Sequence, residues 1–170
     1  MDAESPAPGL VRENSVVARL KVILGSGFGT GYIPFAPATF ASLITIPLIF
    51  WLNSSPLITY LITTIAIFLI GLFIAEDLEK IWGKDAHKIT IDEIVGMLIT
   101  FLGIKLPNSL IAKGAVLLTG FFLFRFFDIF KLPLIKKSQT IAGGLGVMLD
   151  DLLSAIIANL GLRFLMVIFL

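Results

Sequence analysis

FRFFDIFKLPLIKKSQTIAGGLGVMLDD, residues Phe124 to Asp151, ends one hydrophobic segment and opens the next. Arg125 and Asp128 close the first segment, and Lys131, Lys136 and Lys137 occupy the connection. A Gly-Gly-Leu-Gly turn follows, then Asp150 and Asp151. Three carboxylates and several cations therefore meet at one boundary between apolar helices and water. The rest of the chain is made to sit in lipid: of 170 residues, 57% are hydrophobic and 15% charged, with a mean hydropathy of +1.00, outside the range of soluble domains. The reading is an all-α integral membrane bundle of about five hydrophobic helices plus a short N-terminal amphipathic helix.

The same composition removes several classes of function. A net charge of +1 with scattered basic residues gives no phosphate-backbone surface, so nucleic acid is not a partner. There is no cysteine, which excludes disulfides, thiolate metal sites and a cysteine-nucleophile phosphatase. The lone histidine, His87, cannot make a multi-histidine zinc centre or a histidine-pair phosphatase, and reads as an exposed loop residue. Hydrolytic chemistry here must rest on carboxylates. The opening MDAESPAPGLVREN lacks the cationic and apolar regions of a signal peptide. Residues 1–13 read as a flexible lead or cloning scar, and 14–170 as a single membrane-embedded catalytic domain.

Along the chain, Val16 to Leu24 alternates apolar residues with Arg19 and Lys21, as in a helix lying on a membrane surface. Gly25 to Thr39 holds four glycines and two prolines and is expected to be an irregular loop packed against the site or the interface. Phe40 to Leu52, kinked by Pro47, and Pro56 to Ala75 form a helical hairpin around Asn53-Ser54-Ser55. Glu76 to Lys88 is a polar helical extension turning at Gly83. Asp92 and Glu93 open an apolar run ending at Ile104, of a length between a core helix and a span. Leu110 to Phe127 and Leu149 to Leu170 complete the five.

Threading these helices alternately across a membrane places all 12 acidic residues on one side, with 10 of the 13 cations. The other side keeps Lys105, Lys113 and Arg163. By the positive-inside rule the acidic side is cytoplasmic. Asp92, Glu93, Asp128, Asp150 and Asp151 then converge there from three helices. Such carboxylates are costly unless paired, solvated or metal-bound. Against a site stands the plainer account, anions at helix starts where the macrodipole welcomes them; Asp128, at the unfavourable C-terminal end, does not fit it. An all-oxygen donor set selects a hard cation such as Mg²⁺, whose shell is usually completed by substrate phosphate and water.

Other features carry two readings. Arg125 and Asp128, three apart, make either an intrahelical ion pair or a phosphate contact. Lys131, Lys136 and Lys137 either hold a phosphorylated headgroup or mark cytoplasmic topology. Gly143, Gly144 and Gly146 either offer N–H groups to an anion or form a turn. GSGFGTG is no nucleotide fingerprint, since no strand precedes it and no Gly-Lys-Ser/Thr follows; its small residues leave room for a headgroup. A non-enzymatic alternative is a small ion or anion carrier using the same carboxylates, although no convincing inverted repeat accompanies it.

Three blocks, GFGTGYIPFAPATFAS (Gly27 to Ser42), ITIDEIVGM (Ile89 to Met97) and FRFFDIFKLPLI with GGLGVMLDD (Phe124 to Asp151), resemble the phosphatidylglycerophosphatase A family of bacterial membrane enzymes. Ala38 and Ala41 stand where that family usually has glycines, and Leu132 where it has proline. The resemblance implies Mg²⁺-dependent hydrolysis of phosphatidylglycerophosphate to phosphatidylglycerol and phosphate, in a multi-pass protein of the bacterial inner membrane. It implies Asp92, Glu93, Asp150 and Asp151 as metal ligands, and Asp128, with Asp92 and Glu93, as catalytic. Arg125 and Lys131 would clamp the phosphate, with Gly143, Gly144 and Thr39 as further substrate contacts. Direct attack by water and an aspartyl-phosphate intermediate both stay open. Oligomeric state is left unassigned.

Overall fold

The computed structural model describes residues 15–84, 86–130, 141 and 143–169. The expected N-terminal lead and the connection carrying Lys131, Lys136 and Lys137 lie outside the described residues. All regular structure among the described residues is helical. Three helices among the described residues are long and apolar enough to cross a membrane: α4 (Leu57–Trp82, 26 residues), α6 (Leu110–Phe130, 21 residues) and α7 (Gly144–Phe169, 26 residues). At 1.5 Å per residue they measure about 32 to 39 Å, enough to cross a hydrocarbon core. Their outer faces carry exposed apolar side chains such as Phe73, Phe122 and Phe164, as lipid-facing surfaces do.

The remaining helices are short. α1 (Ser15–Gly25) leaves Val16, Leu20 and Ile23 exposed along one stripe. The segment expected as one kinked helix from Phe40 is two, α2 (Pro37–Ile44) and α3 (Ile46–Asn53), meeting at Thr45. Pro47 has no N–H to give the carbonyl of Leu43, so a continuous helix cannot form. The irregular loop also ends earlier than expected. Thr30–Tyr32 make a 3-10 turn, and Pro37, suited by its fixed φ to a first helical turn, starts α2 and places Thr39 on it.

α5 (Ile91–Thr100) is the centre of the bundle. Ile91, Ile94, Val95, Met97 and Leu98 are buried around its whole circumference, the pattern of a helix enclosed by others. It packs on α2, α4, α6 and α7. One core cluster joins Met97, Leu98 and Phe101 to Leu52, Phe121, Phe124 and Leu162; the other joins Ile91 and Val95 to Ala75, Leu78 and Met148.

The two ends of the bundle correspond to the two sides drawn from the sequence. At one, Thr90 donates its N–H to Gly25 O at 2.9 Å, Lys21 pairs with Asp77 at 2.8 Å, and Tyr32 packs edge-on against Trp82. At the other, Asn53 bonds the Ile104 carbonyl and the Leu106 N–H, while Asn159 donates to the carbonyls of Ile99, Thr100 and Leu102. Short α5 and broken α2–α3 therefore each connect the two ends.

The last helix corrects one boundary. α7 starts at Gly144 rather than Leu149, so Asp150 and Asp151 lie in its second turn and not at its start. A Cβ at Gly144 would lie 2.0 Å from the carbonyl oxygen of Leu72. That close approach to α4 offsets the helix cost of glycine, about 1 kcal/mol, and carries the helix upstream. Gly144→Ala should therefore destabilise the protein by about 1 to 3 kcal/mol, the usual penalty for overpacking, seen as a lower unfolding midpoint in detergent. An unchanged midpoint would contradict this packing.

Candidate active site

Glu93 organises the acidic end. It occupies the first turn of α5 and is buried. Its Oε1 receives Nη1 of Arg125 from α6, and its Oε2 receives the hydroxyl of Ser42 from α2 at 2.9 Å. Nη1 of Arg125 also lies 3.0 Å from Asp128 Oδ2. The intrahelical Arg125–Asp128 pair is thus real, but it is one arm of a bridge across three helices. A buried carboxylate shared by a guanidinium and a hydroxyl is held far more firmly than an exposed ion pair.

Asp92, next to Glu93, accepts the Glu93 N–H at 2.9 Å and so satisfies one first-turn donor of its own helix, in keeping with the helix-start account. Asp150 and Asp151 do not fit that account, being well inside α7 and buried. They are placed by helix packing: α7 lies along α5 and α6, which turns the second turn of α7 toward Glu93 and Asp128. The charges of Asp92, Glu93, Asp128 and Asp150 all act on Asp151. Five carboxylates from three helices therefore act on one another here, and three of them, Glu93, Asp128 and Asp151, act on the Arg125 guanidinium. Burial raises the carboxyl of Asp92 well above the ordinary value, with the charge of Glu93 adding to the effect. Burial also pushes Glu93 up to about 7, against the pull of Arg125.

Two polar atoms in this cluster are buried without a hydrogen-bond partner among the described residues: Nε of Arg125 and Oδ2 of Asp151. An orphaned buried group forfeits its hydration, at a cost of about 1 to 3 kcal/mol. One orphan is a donor suited to an anion. The other is an acceptor suited to a cation, and the acids whose charges act on it, Glu93, Asp92, Asp128 and Asp150, offer carboxylate oxygens, the donor type a hard divalent ion takes. Among the described residues the side chains do not close into a ready-made three-ligand cage.

The remaining sequence candidates are placed as follows. Gly143 gives its N–H to Glu79 Oε2 at 3.0 Å, and Gly144 packs against α4, so each has a structural part to play. Thr39 is half-buried on the first turn of α2, three residues before Ser42 and on the same helical face. Lys131 lies outside the described residues, and His87 is exposed. Ser42 is a site residue that charge-based reading passes over. Its signal was a hydroxyl in the apolar FASLI stretch, eleven residues after the last loop glycine, Gly31.

A family model described as phosphatidylglycerophosphatase A matches residues 23–166. The chain belongs to this family. Among its relatives are proteins named phosphatidylglycerophosphatase A from Escherichia coli, 30% identical over 80% of this chain and 77% of the relative, and from Haemophilus influenzae, 37% identical over 80% and 82%. A Bacteroides thetaiotaomicron protein, 37% identical over 81% of this chain and 87% of its own, is named provisionally as a phosphatidylinositol-3-phosphatase. No solved structure matches.

The bond from Ser42 to the Glu93 carboxylate has a measurable weight. Ser42→Ala should cost about 1.5 to 3 kcal/mol, as for a hydrogen bond to a charged group. Thr39→Ala, which removes no side-chain hydrogen bond among the described residues, should stay within about 0.5 kcal/mol. Unfolding in detergent distinguishes them, and equal effects would remove Ser42 from the cluster.

Proposed function

We propose that the chain is a Mg²⁺-dependent phosphatase that hydrolyses the phosphate monoester of phosphatidylglycerophosphate at the cytoplasmic face of a bacterial inner membrane. The observation that carries this is the pair of orphaned atoms within one acidic cluster, the Arg125 donor and the Asp151 acceptor, in a chain of this family. The printed names of the relatives favour a lipid phosphate monoester as substrate and leave the carrier alternative without support. The side on which ten of 13 cations fall supports the cytoplasmic orientation.

In this reading Asp92, Glu93, Asp150 and Asp151 would hold Mg²⁺, which would supply positive charge to offset that on the phosphoryl oxygens. Arg125, fixed by Glu93 and Asp128 through Nη1, directs its Nε–H at a phosphate oxygen. Asp128, held by the same guanidinium, orients the attacking water and accepts its proton. The new P–O bond forms as the bond to the glycerol oxygen breaks, and the proton is returned to that oxygen, giving phosphatidylglycerol and inorganic phosphate. The apolar flanks of α6 and α7 receive the acyl chains. A carboxylate attacking in place of water would leave an aspartyl phosphate, which acid quenching during turnover would trap.

The test is phosphate release from phosphatidylglycerophosphate in detergent micelles, with phosphatidylinositol 3-phosphate as the comparison substrate. Release should require Mg²⁺ and stop on chelation. Asp151→Asn and Arg125→Gln should each lower turnover by about 100-fold or more, as when one group stabilising transition-state charge is removed. No release by folded protein, or release indifferent to chelation and to Asp151→Asn, would overturn the reading. Preferential hydrolysis of the inositol lipid would replace the substrate.

A further inference from the structure

The end of the bundle away from the carboxylates carries a second polar feature. Arg163 lies in the apolar run of α7, between Leu162 and Phe164. Its Nε donates to Asn159 Oδ1 and its Nη2 to the carbonyl of Leu102, both at 2.8 Å. Gly103, left-handed at φ 69°, lies beneath the guanidinium, and a Cβ there would stand 2.8 Å from Nη2. The residue is exposed, and its other N–H groups make no hydrogen bond among the described residues. Beside it opens a cavity of about 330 Å³ lined by Leu57, Leu61, Ile99, Ile156 and Leu160, a volume within the range of ligand clefts.

Capping of α5 uses only part of this arginine. The two N–H groups of the Asn159 amide are shared among the carbonyls of Ile99, Thr100 and Leu102 and Nη2 of Arg163 completes the Leu102 oxygen, which leaves Nη1 of Arg163 without a hydrogen bond among the described residues. Among the described residues no carboxylate pairs with it, while Lys105, two residues beyond Gly103, adds a second exposed cation. A fixed cation with outward donors above an apolar cleft, at the level of a membrane surface, matches an anionic amphiphile.

We propose that this cleft binds an anionic phospholipid from the leaflet opposite the carboxylate cluster, its phosphate against Arg163 and part of an acyl chain between α4 and α7. The site is independent of the hydrolytic reading. Its test is native mass spectrometry of the purified full chain in detergent with equal amounts of phosphatidylserine, an anionic lipid that is not the proposed product, and phosphatidylcholine of matched acyl chains. The wild type should retain about fivefold more phosphatidylserine, the preference expected of one basic residue at a membrane surface. Arg163→Gln should bring the two lipids to parity, and Ile156→Trp, which fills the cleft, should reduce bound lipid at an unchanged unfolding midpoint. Should Arg163→Gln fail to fold, Ile156→Trp carries the test alone. Equal retention of the two lipids by the wild type, or full retention by Ile156→Trp, would overturn the proposal, as would a preference that survives in folded Arg163→Gln.

Discussion

The structure depends on the burial of Glu93 between Arg125 and Ser42. This one carboxylate ties α2, α5 and α6 together at the acidic end, and the helices bring Asp128, Asp150 and Asp151 to it. Apolar packing alone would never choose this arrangement, because each added carboxylate lowers stability through desolvation and mutual repulsion. Arg125 answers part of that cost through Glu93 and Asp128, and the proposed Mg²⁺ would answer more of it.

The rest of the architecture keeps that cluster in place. α5 is too short to cross a membrane alone, yet its apolar surface on every side makes it the post against which α2, α4, α6 and α7 are set. Its first turn carries the acids and its last is held by Asn159 of α7. Both ends are therefore anchored by polar bonds, while Met97, Leu98 and Phe101 fill the space between. Glycine at Gly96 lets the ring of Phe124 approach to where a Cβ would stand 2.3 Å away, which brings the neighbouring Arg125 within reach of Glu93.

Much of this was legible in the sequence because charge in an apolar chain is conspicuous. Asp92, Glu93, Arg125, Asp128, Asp150 and Asp151 stand out from their surroundings, and alternate threading sorts them to one end without any coordinates. The helix count was legible too, since hydrophobic length is a strong signal. The start of α7 was not: GGLG reads locally as a turn, and only the contact of Gly144 with the α4 backbone shows why the helix continues through it. The break at Thr45 was visible only as a kink. Ser42 went unnoticed as a partner because a single hydroxyl has no periodicity, and its importance arises from α2 lying beside α5. Tertiary placement decides all three cases.

We propose above all that the acidic cluster is a cation site completed by Asp151. Titration of the detergent-solubilised protein with Mn²⁺, followed by electron paramagnetic resonance, tests this without any turnover. Bound Mn²⁺ that Mg²⁺ displaces is expected, with markedly weaker binding in Asp151→Asn. Folded protein that leaves all the Mn²⁺ free, or an Asp151→Asn variant that binds it as tightly as the wild type, would contradict it.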